Sequence, residues 1–357
     1  MSDDRLPVTI LTGFLGSGKT TLLAALLKRA AFRNTAVIVN EFGETGLDHE
    51  LLRTGGESLA LLAGGCVCCS LRSDLADTLK ELFNKRVRGE IPEFDRVLVE
   101  TTGLADPAPL IHTLIVDAVS AARYRLEGVV TTVDAVNAQS ELDHHREAVK
   151  QVAVADRIVL TKTDLASPET IAAVIERLRA INPAATPIRA EHGEVEVAAL
   201  IGDAGAENRP PRAAEMEDWL AADAYGVAGP CRNPHHDHDH DHGHNHGHDH
   251  AHDGVTSFTL AYAEPFDWDA VAEALDRIAA LGGTRLLRLK GLIAIAGRDR
   301  PVVAHAVQHL FHPPVLLDSW PGERRDTRLV FITQGLSQEE VQPILDAALA
   351  RTALTTR

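Results

Sequence analysis

The chain is 357 residues long and 45% hydrophobic, enough material for two ordinary cores. Its 51 acidic side chains outnumber 35 basic ones, and the resulting formal net charge of −16 argues against general binding to a nucleic-acid backbone. No apolar run approaches the roughly 20 residues of a membrane span, and Met1–Pro7 carries Asp3 and Asp4 where an export signal carries Lys or Arg. A cytoplasmic protein is therefore expected, with neither nucleic acid nor membrane among its partners. Three of its four cysteines crowd into Cys66, Cys68 and Cys69, which reads as reduced thiols rather than a disulfide framework.

From residue 8 to about 200, short β-branched runs alternate with longer helical stretches: VTIL, TLLAALLKRAAF, AVIVN, RVLVE, GVVTTVD and RIVLT. That rhythm predicts an α/β fold, a mostly parallel sheet flanked by helices. The first strand runs into Gly13-Phe14-Leu15-Gly16-Ser17-Gly18-Lys19-Thr20, which fits G-x-x-x-x-G-K-[ST] between a strand and a helix, the context a phosphate loop requires. The expected nucleotide-binding residues here are Gly13, Gly16, Ser17, Gly18, Lys19, Thr20 and Thr21. Glycines turn backbone amides toward phosphate, the helix start adds partial positive charge, Lys19 reaches the β/γ oxygens, and the Thr20 hydroxyl can ligate Mg²⁺.

Between the AVIVN and RVLVE strands lies Gly64-Gly65-Cys66-Val67-Cys68-Cys69. In an extended segment Cys66 and Cys68 point the same way, and adjacent soft thiolates favour Zn²⁺, Cu⁺ or Co²⁺ over Mg²⁺. Structural zinc normally takes four ligands; two or three leave an open position, which suits a metal that is handed on. Next, Val97-Leu98-Val99-Glu100 is an apolar strand ending in an acid, placing Glu100 to hold Mg²⁺ or orient the attacking water, and Gly103 to offer an amide to a γ-phosphate. The RIVLT strand ends in Thr161-Lys162-Thr163-Asp164, where a guanine-binding loop belongs. There the Asp164 carboxylate accepts from two guanine N–H donors while the Lys162 stem stacks on the ring.

Ser167-Pro168 opens a helix that ends before Asn182-Pro183. Composition then shifts, and an 18-residue tract from His235 to His252, with ten His and four Asp, reads as a disordered linker whose interchangeable imidazoles collect metal weakly. Beyond it, SFTLAY, LLRLKGLIAIAG, PVVAHAVQHLF and RLVFITQGL read as strands and FDWDAVAEALDRIAAL as a helix, with a last helix opened by a Ser337/Glu340 capping box. The expected organisation is a nucleotide-binding domain over 1–210, a His-rich linker over 211–254 and a smaller α+β domain with an open or mixed sheet over 255–357. His305, His309 and His312 read as packed or surface histidines rather than ligands.

Taken together, GFLGSGKTT, NEFGETGLD at 40–48, GGCVCCS, ETTGLADP at 100–107 and TKTDL at 161–165 resemble the CobW-type P-loop GTPases. The C-terminal portion is similar to that family's second domain through RLLRLKGLIAIAG, VQHLF and RRDTRLVFITQGL. The resemblance implies slow GTP hydrolysis, with GTP and Mg²⁺, coupled to capture and delivery of a divalent transition metal, Zn²⁺ or Co²⁺, to a client metalloprotein. By position, Lys19 and Thr20 match the phosphate and magnesium residues, Cys66, Cys68 and Cys69 the metal motif, and Lys162 with Asp164 the guanine motif, while Lys19 and Glu100, read from the residues themselves, are the expected catalytic residues. Glu41 and Glu44 fall in the stretch that resembles switch I. Thr161 stands where an Asn is usual, which relaxes base selectivity, and Asp106-Pro107 favours zinc over cobalt. Two alternatives share the sequence: a cobalt or nickel insertase of the same family, and a zinc buffer or sensor built on the histidine tract.

Overall fold

A computed structural model describes residues 4–39, 61–63, 71–185, 187–190, 194–196, 200, 220 and 254–355. The chain divides into two compact units, Met1–Pro210 and Pro211–Arg357.

The first unit is built on a parallel sheet of seven strands. In chain order these are β1 (Leu6–Gly13), β2 (Thr35–Val39), β3 (Leu61–Ala63), β4 (Arg96–Glu100), β5 (Tyr124–Asp134), β6 (Arg157–Thr161) and β7 (Pro187–Arg189). Their spatial order is β3-β2-β4-β1-β5-β6-β7. Both faces of such a sheet are covered, so its central strands carry buried apolar runs, as Val97, Leu98 and Val99 between Arg96 and Glu100 illustrate. The helices are α1 (Lys19–Leu27), α2 (Leu71–Val87), α3 (Ala108–Val116), α4 (Ala118–Arg123), α5 (Ala138–His144), α6 (Arg146–Ala153) and α7 (Pro168–Ile181). Leu22, Leu23 and Leu26 of α1 pack on Leu11, Leu98 and Val130, each such side chain contributing about 1.5–3 kcal/mol by leaving water. The Ser167 hydroxyl caps α7 by accepting from Thr170 N–H, and the helix stops at Ile181 ahead of Asn182.

Two strands of this unit were not anticipated. β3 and β7 have three residues each, too short to carry a periodic signal, and both lie at sheet edges.

The second unit is a six-stranded sheet of β8 (Val255–Tyr262), β9 (Leu286–Ile293), β10 (Val302–Val307), β11 (Leu310–Phe311), β12 (Val315–Leu316) and β13 (Thr327–Gln334), with α8 (Trp268–Gly282) and α9 (Gln338–Thr355) on one face. Every pairing in it is antiparallel, so the expectation of an open or mixed sheet resolves to the antiparallel form. The run PVVAHAVQHLF, expected as one strand, is a hairpin. Gln308 adopts φ 53 and turns the chain, so that Val307 pairs with Leu310 and Ala306 with Phe311. The Ser337/Glu340 capping box is present, with Glu340 N–H donating to Ser337 Oγ at 3.3 Å and Ser337 N–H to Glu340 Oε2 at 2.8 Å. No helix among the described residues is long and apolar enough to cross a membrane.

Candidate functional site

Ligands of open parallel sheets bind beyond the carboxyl ends of the strands, and the predicted residues at Gly13, Glu100 and Thr161 all stand at that edge of β1, β4 and β6. The turn from β1 into α1 depends on Gly13, Gly16 and Gly18, with φ of 143°, 71° and 89°. Gly13 is also sterically required, since a Cβ there would lie 2.2 Å from Thr132 Oγ1 and 2.4 Å from the Thr132 carbonyl. Ser17 is buried with its hydroxyl 2.7 Å from that of Thr132, tying the loop to β5. α1 opens at Gly18 with neither a side-chain cap nor an acid in its first turn, leaving its free amides to an incoming anion. Thr21 is exposed in that first turn.

Lys19 is buried, and its ammonium donates to the Gly13 and Phe14 carbonyls at 2.9 Å each. Burial pushes its pKa down, against the opposing pull of the Glu100 and Glu141 carboxylates. The cation is thus held over its own loop, where a triphosphate can replace the two carbonyls. Beside it the Thr20 hydroxyl donates to Glu100 Oε1 at 2.8 Å. Two hard oxygens placed together suit Mg²⁺, and the bond leaves the lone pairs of Thr20 Oγ1 available to the ion.

Beyond Glu100, the β4–α3 loop is laced to the phosphate loop. Thr101 donates its N–H to Leu11 O at 2.9 Å and its hydroxyl to Thr12 Oγ1 at 2.8 Å. A Cβ on Gly103 would stand 2.7 Å from the backbone nitrogen of Leu15, so this position admits only glycine against the loop. The buried Gln151 side chain of α6 holds the other side, donating to Gly103 O at 3.2 Å and Ala105 O at 3.0 Å.

In the loop expected to read the base, Asp164 is exposed just beyond the end of β6. Lys162 takes φ 54, uncommon for a residue with a side chain, and its ammonium donates to Asp134 Oδ2 at 2.6 Å. Thr161, standing in place of the expected Asn, donates its hydroxyl to Ser17 O at 2.7 Å and so braces the phosphate loop. Sequence reasoning missed three residues here. Asp134 ends the apolar GVVTTVD strand in an acid, the signal that singled out Glu100, and Glu141 and Gln151 lie on helices with no motif of their own. Glu141 is half-buried in α5, and its carboxyl is pushed up to about 7 by burial and the nearby Asp134 charge, despite Lys162 and Lys19. The His145 ring stacks on Phe14 of the phosphate loop, centroids 4.5 Å apart.

The structure therefore brings Lys19, Thr20, Glu100 and Gly103 together around one loop and joins Lys162 to it through Thr161. Cys66, Cys68, Cys69, Glu41, Glu44 and the histidine tract lie outside the described residues. Among the described residues, no group of three or more His, Cys, Asp or Glu could hold a metal ion. In the second unit, His305 and His312 stack with centroids 4.2 Å apart, and burial together with His312, Arg288 and Lys290 holds the His305 pKa well below its usual value.

Comparison with known proteins agrees with this geometry. Residues 7–189 match the CobW/HypB/UreG nucleotide-binding domain, and residues 255–349 match the cobalamin synthesis protein cobW C-terminal domain. Zinc chaperone YjiA of Escherichia coli is 32% identical over 337 residues, covering 94% of this chain and 96% of that protein. Zinc chaperone CobW of Pseudomonas aeruginosa is 34% identical, covering 97% of this chain and 92% of that protein. The crystal structure of Zn(II)-bound YjiA GTPase from E. coli superposes with a TM-score of 0.67 at 28% identity, covering 96% of this chain and 99% of that one. With the phosphate loop, its Glu100–Thr20 pair and the second domain all in place, this chain belongs to the CobW/HypB/UreG family of P-loop GTPases.

Proposed function

We propose that this GTPase is a zinc metallochaperone that binds the ion at Cys66, Cys68 and Cys69 and passes it to a client metalloprotein in the cytoplasm, with nucleotide state setting the metal affinity. The relatives named zinc chaperones support the choice of metal, and one observation supports the coupling. Ala63, the last residue of β3, pairs with Val39, Val39 with Glu100, and Glu100 with Leu11, so all four lie on one row across the sheet. Two strand spacings, about 10 Å, separate Ala63 from Glu100. Cys66 follows Ala63 by three residues, which span at most about 11 Å. The thiols are therefore tethered within reach of the edge where the γ-phosphate would sit.

In this reading Gly13, Gly16, Ser17, Gly18, Lys19, Thr20 and Thr21 cradle the phosphates, Gly103 adds an amide, and Lys162 with Asp164 holds guanine. Thr20 and Glu100 hold Mg²⁺, which when bound neutralises charge on the triphosphate. Lys19 exchanges its loop carbonyls for phosphate oxygens, and Glu100 orients the Thr20 hydroxyl. The segments 40–60 and 64–70, leaving β2 and β3 at the same edge, respond to the γ-phosphate and present the thiols. The 235–252 tract collects metal for them. Linkage requires reciprocity: whatever factor GTP adds to zinc affinity, zinc adds to GTP affinity.

The test is zinc affinity by competition with a chromophoric chelator, with GDP and with a nonhydrolysable GTP analogue. Tighter zinc binding in the GTP state, lost in Cys66→Ser, is expected. Equal affinity in the two states removes the coupling, and unchanged stoichiometry in Cys66→Ser removes the thiol site.

A further inference from the structure

We propose that Asp134, at the end of β5, is a positioning residue for the guanine site, acting through Lys162. The inference rests on the reading of Lys162 and Asp164 as the base site, and goes beyond it by naming what fixes the lysine. Asp134 is 1% exposed and its oxygens are fully engaged. Oδ1 accepts Val136 N–H at 2.8 Å; Oδ2 accepts Asn137 Nδ2 at 2.9 Å and Lys162 Nζ at 2.6 Å. Such a carboxylate has one orientation. The Asp134–Thr161 pairing of β5 with β6, and Ala135 N–H donating to Thr161 O at 3.0 Å, fix its distance from the base loop. Lys162 itself carries a left-handed backbone at φ 54, a conformation that persists only where surroundings over-determine it. An unanchored lysine stem samples many rotamers and loses that entropy on stacking against a base; a stem pinned at both backbone and ammonium has already lost it. Asp134 thus contributes to base affinity without reaching the base.

The experiment measures GTP and GDP affinity and turnover in the full chain. Lys162→Met keeps an apolar stem but offers no ammonium to Asp134. If anchoring matters, Lys162→Met and Lys162→Ala both lose about tenfold in affinity and agree within about twofold, and Asp134→Asn loses about tenfold alone but less than about twofold in the Lys162→Ala background. Turnover at saturating GTP stays within about twofold for Asp134→Asn, a split that general unfolding would not produce. Wild-type affinity in Lys162→Met, or the same loss from Asp134→Asn in both backgrounds, overturns the proposal. The Lys162→Met arm stands even if Asp134→Asn does not fold. A separate arm checks the base site: in Asp164→Asn the amide offers a donor that guanine cannot use and xanthine can, so preference shifts from GTP toward XTP. No shift there refutes the base reading, whereas a shift with an additive Asp134/Lys162 cycle refutes only the anchoring.

Discussion

Two kinds of helix start occur in this molecule. In the C-terminal unit, α8 opens with the Asp267 carboxylate accepting Ala270 N–H at 3.1 Å, and α9 opens with the reciprocal Ser337/Glu340 box. Those amides are closed internally, and the benefit is stability. α1 opens at a left-handed Gly18 with no cap, no acid in its first turn, and a buried lysine immediately behind. The same free amides and the same partial positive charge are left for a ligand. α3 also lacks a side-chain cap and a first-turn acid, so what sets α1 apart is the glycine turn before it together with the buried Lys19.

Substitutions at the two kinds of start give opposite results, and the largest effect belongs to the open one. Lys19→Ala is expected to cut GTP turnover by about a hundredfold or more, because a charge aimed at the phosphates is removed; steady-state phosphate release checks it, and unchanged turnover breaks the assignment of the open start. Gly13→Ala drives a methyl into Thr132 and is expected to destabilise the N-terminal unit by about 3 kcal/mol, read by urea unfolding. At the closed start, Asp267→Ala is expected to cost about 1 kcal/mol and leave GTP turnover unchanged; a turnover loss would mean that the capped helices also serve the site. A further effect is a pH dependence at Glu141. Its carboxyl keeps a proton to about 7 in the folded chain against an ordinary 4.5. The native state binds more protons across that window, so stability falls as pH rises through it. Glu141→Gln removes this loss, and its melting temperature should climb relative to wild type across the same window and run parallel above it. Identical profiles would show that Glu141 ionises as an ordinary surface acid.

How far the sequence could be read depended on whether a residue's role is local. The phosphate loop is contiguous, strand and helix flank it, and Gly13, Gly18, Lys19 and Thr20 stand in the expected turn. Ser167 and the Ser337/Glu340 pair act over three positions, and those boundaries were legible for the same reason. Asp134 acts on Lys162 from a neighbouring strand and Gln151 on Gly103 from a helix 48 residues away, so no spacing rule reaches them. Thr161 belongs to both classes. Its place in the base motif was readable, and the absent Asn suggested relaxed selectivity, yet its bond to Ser17 O depends on strand order. The hairpin at Gln308 was hidden because an apolar run of this length reads equally well as one strand or two.

The contact at Gly103 has a mechanical consequence. With no side chain to act as a cushion, its backbone abuts that of Leu15, and Gln151 clamps it from behind. The loop after β4 therefore cannot move toward the phosphate loop without pushing it. A push on the β4 loop from that side would thus be passed to the turn where phosphates are expected to bind.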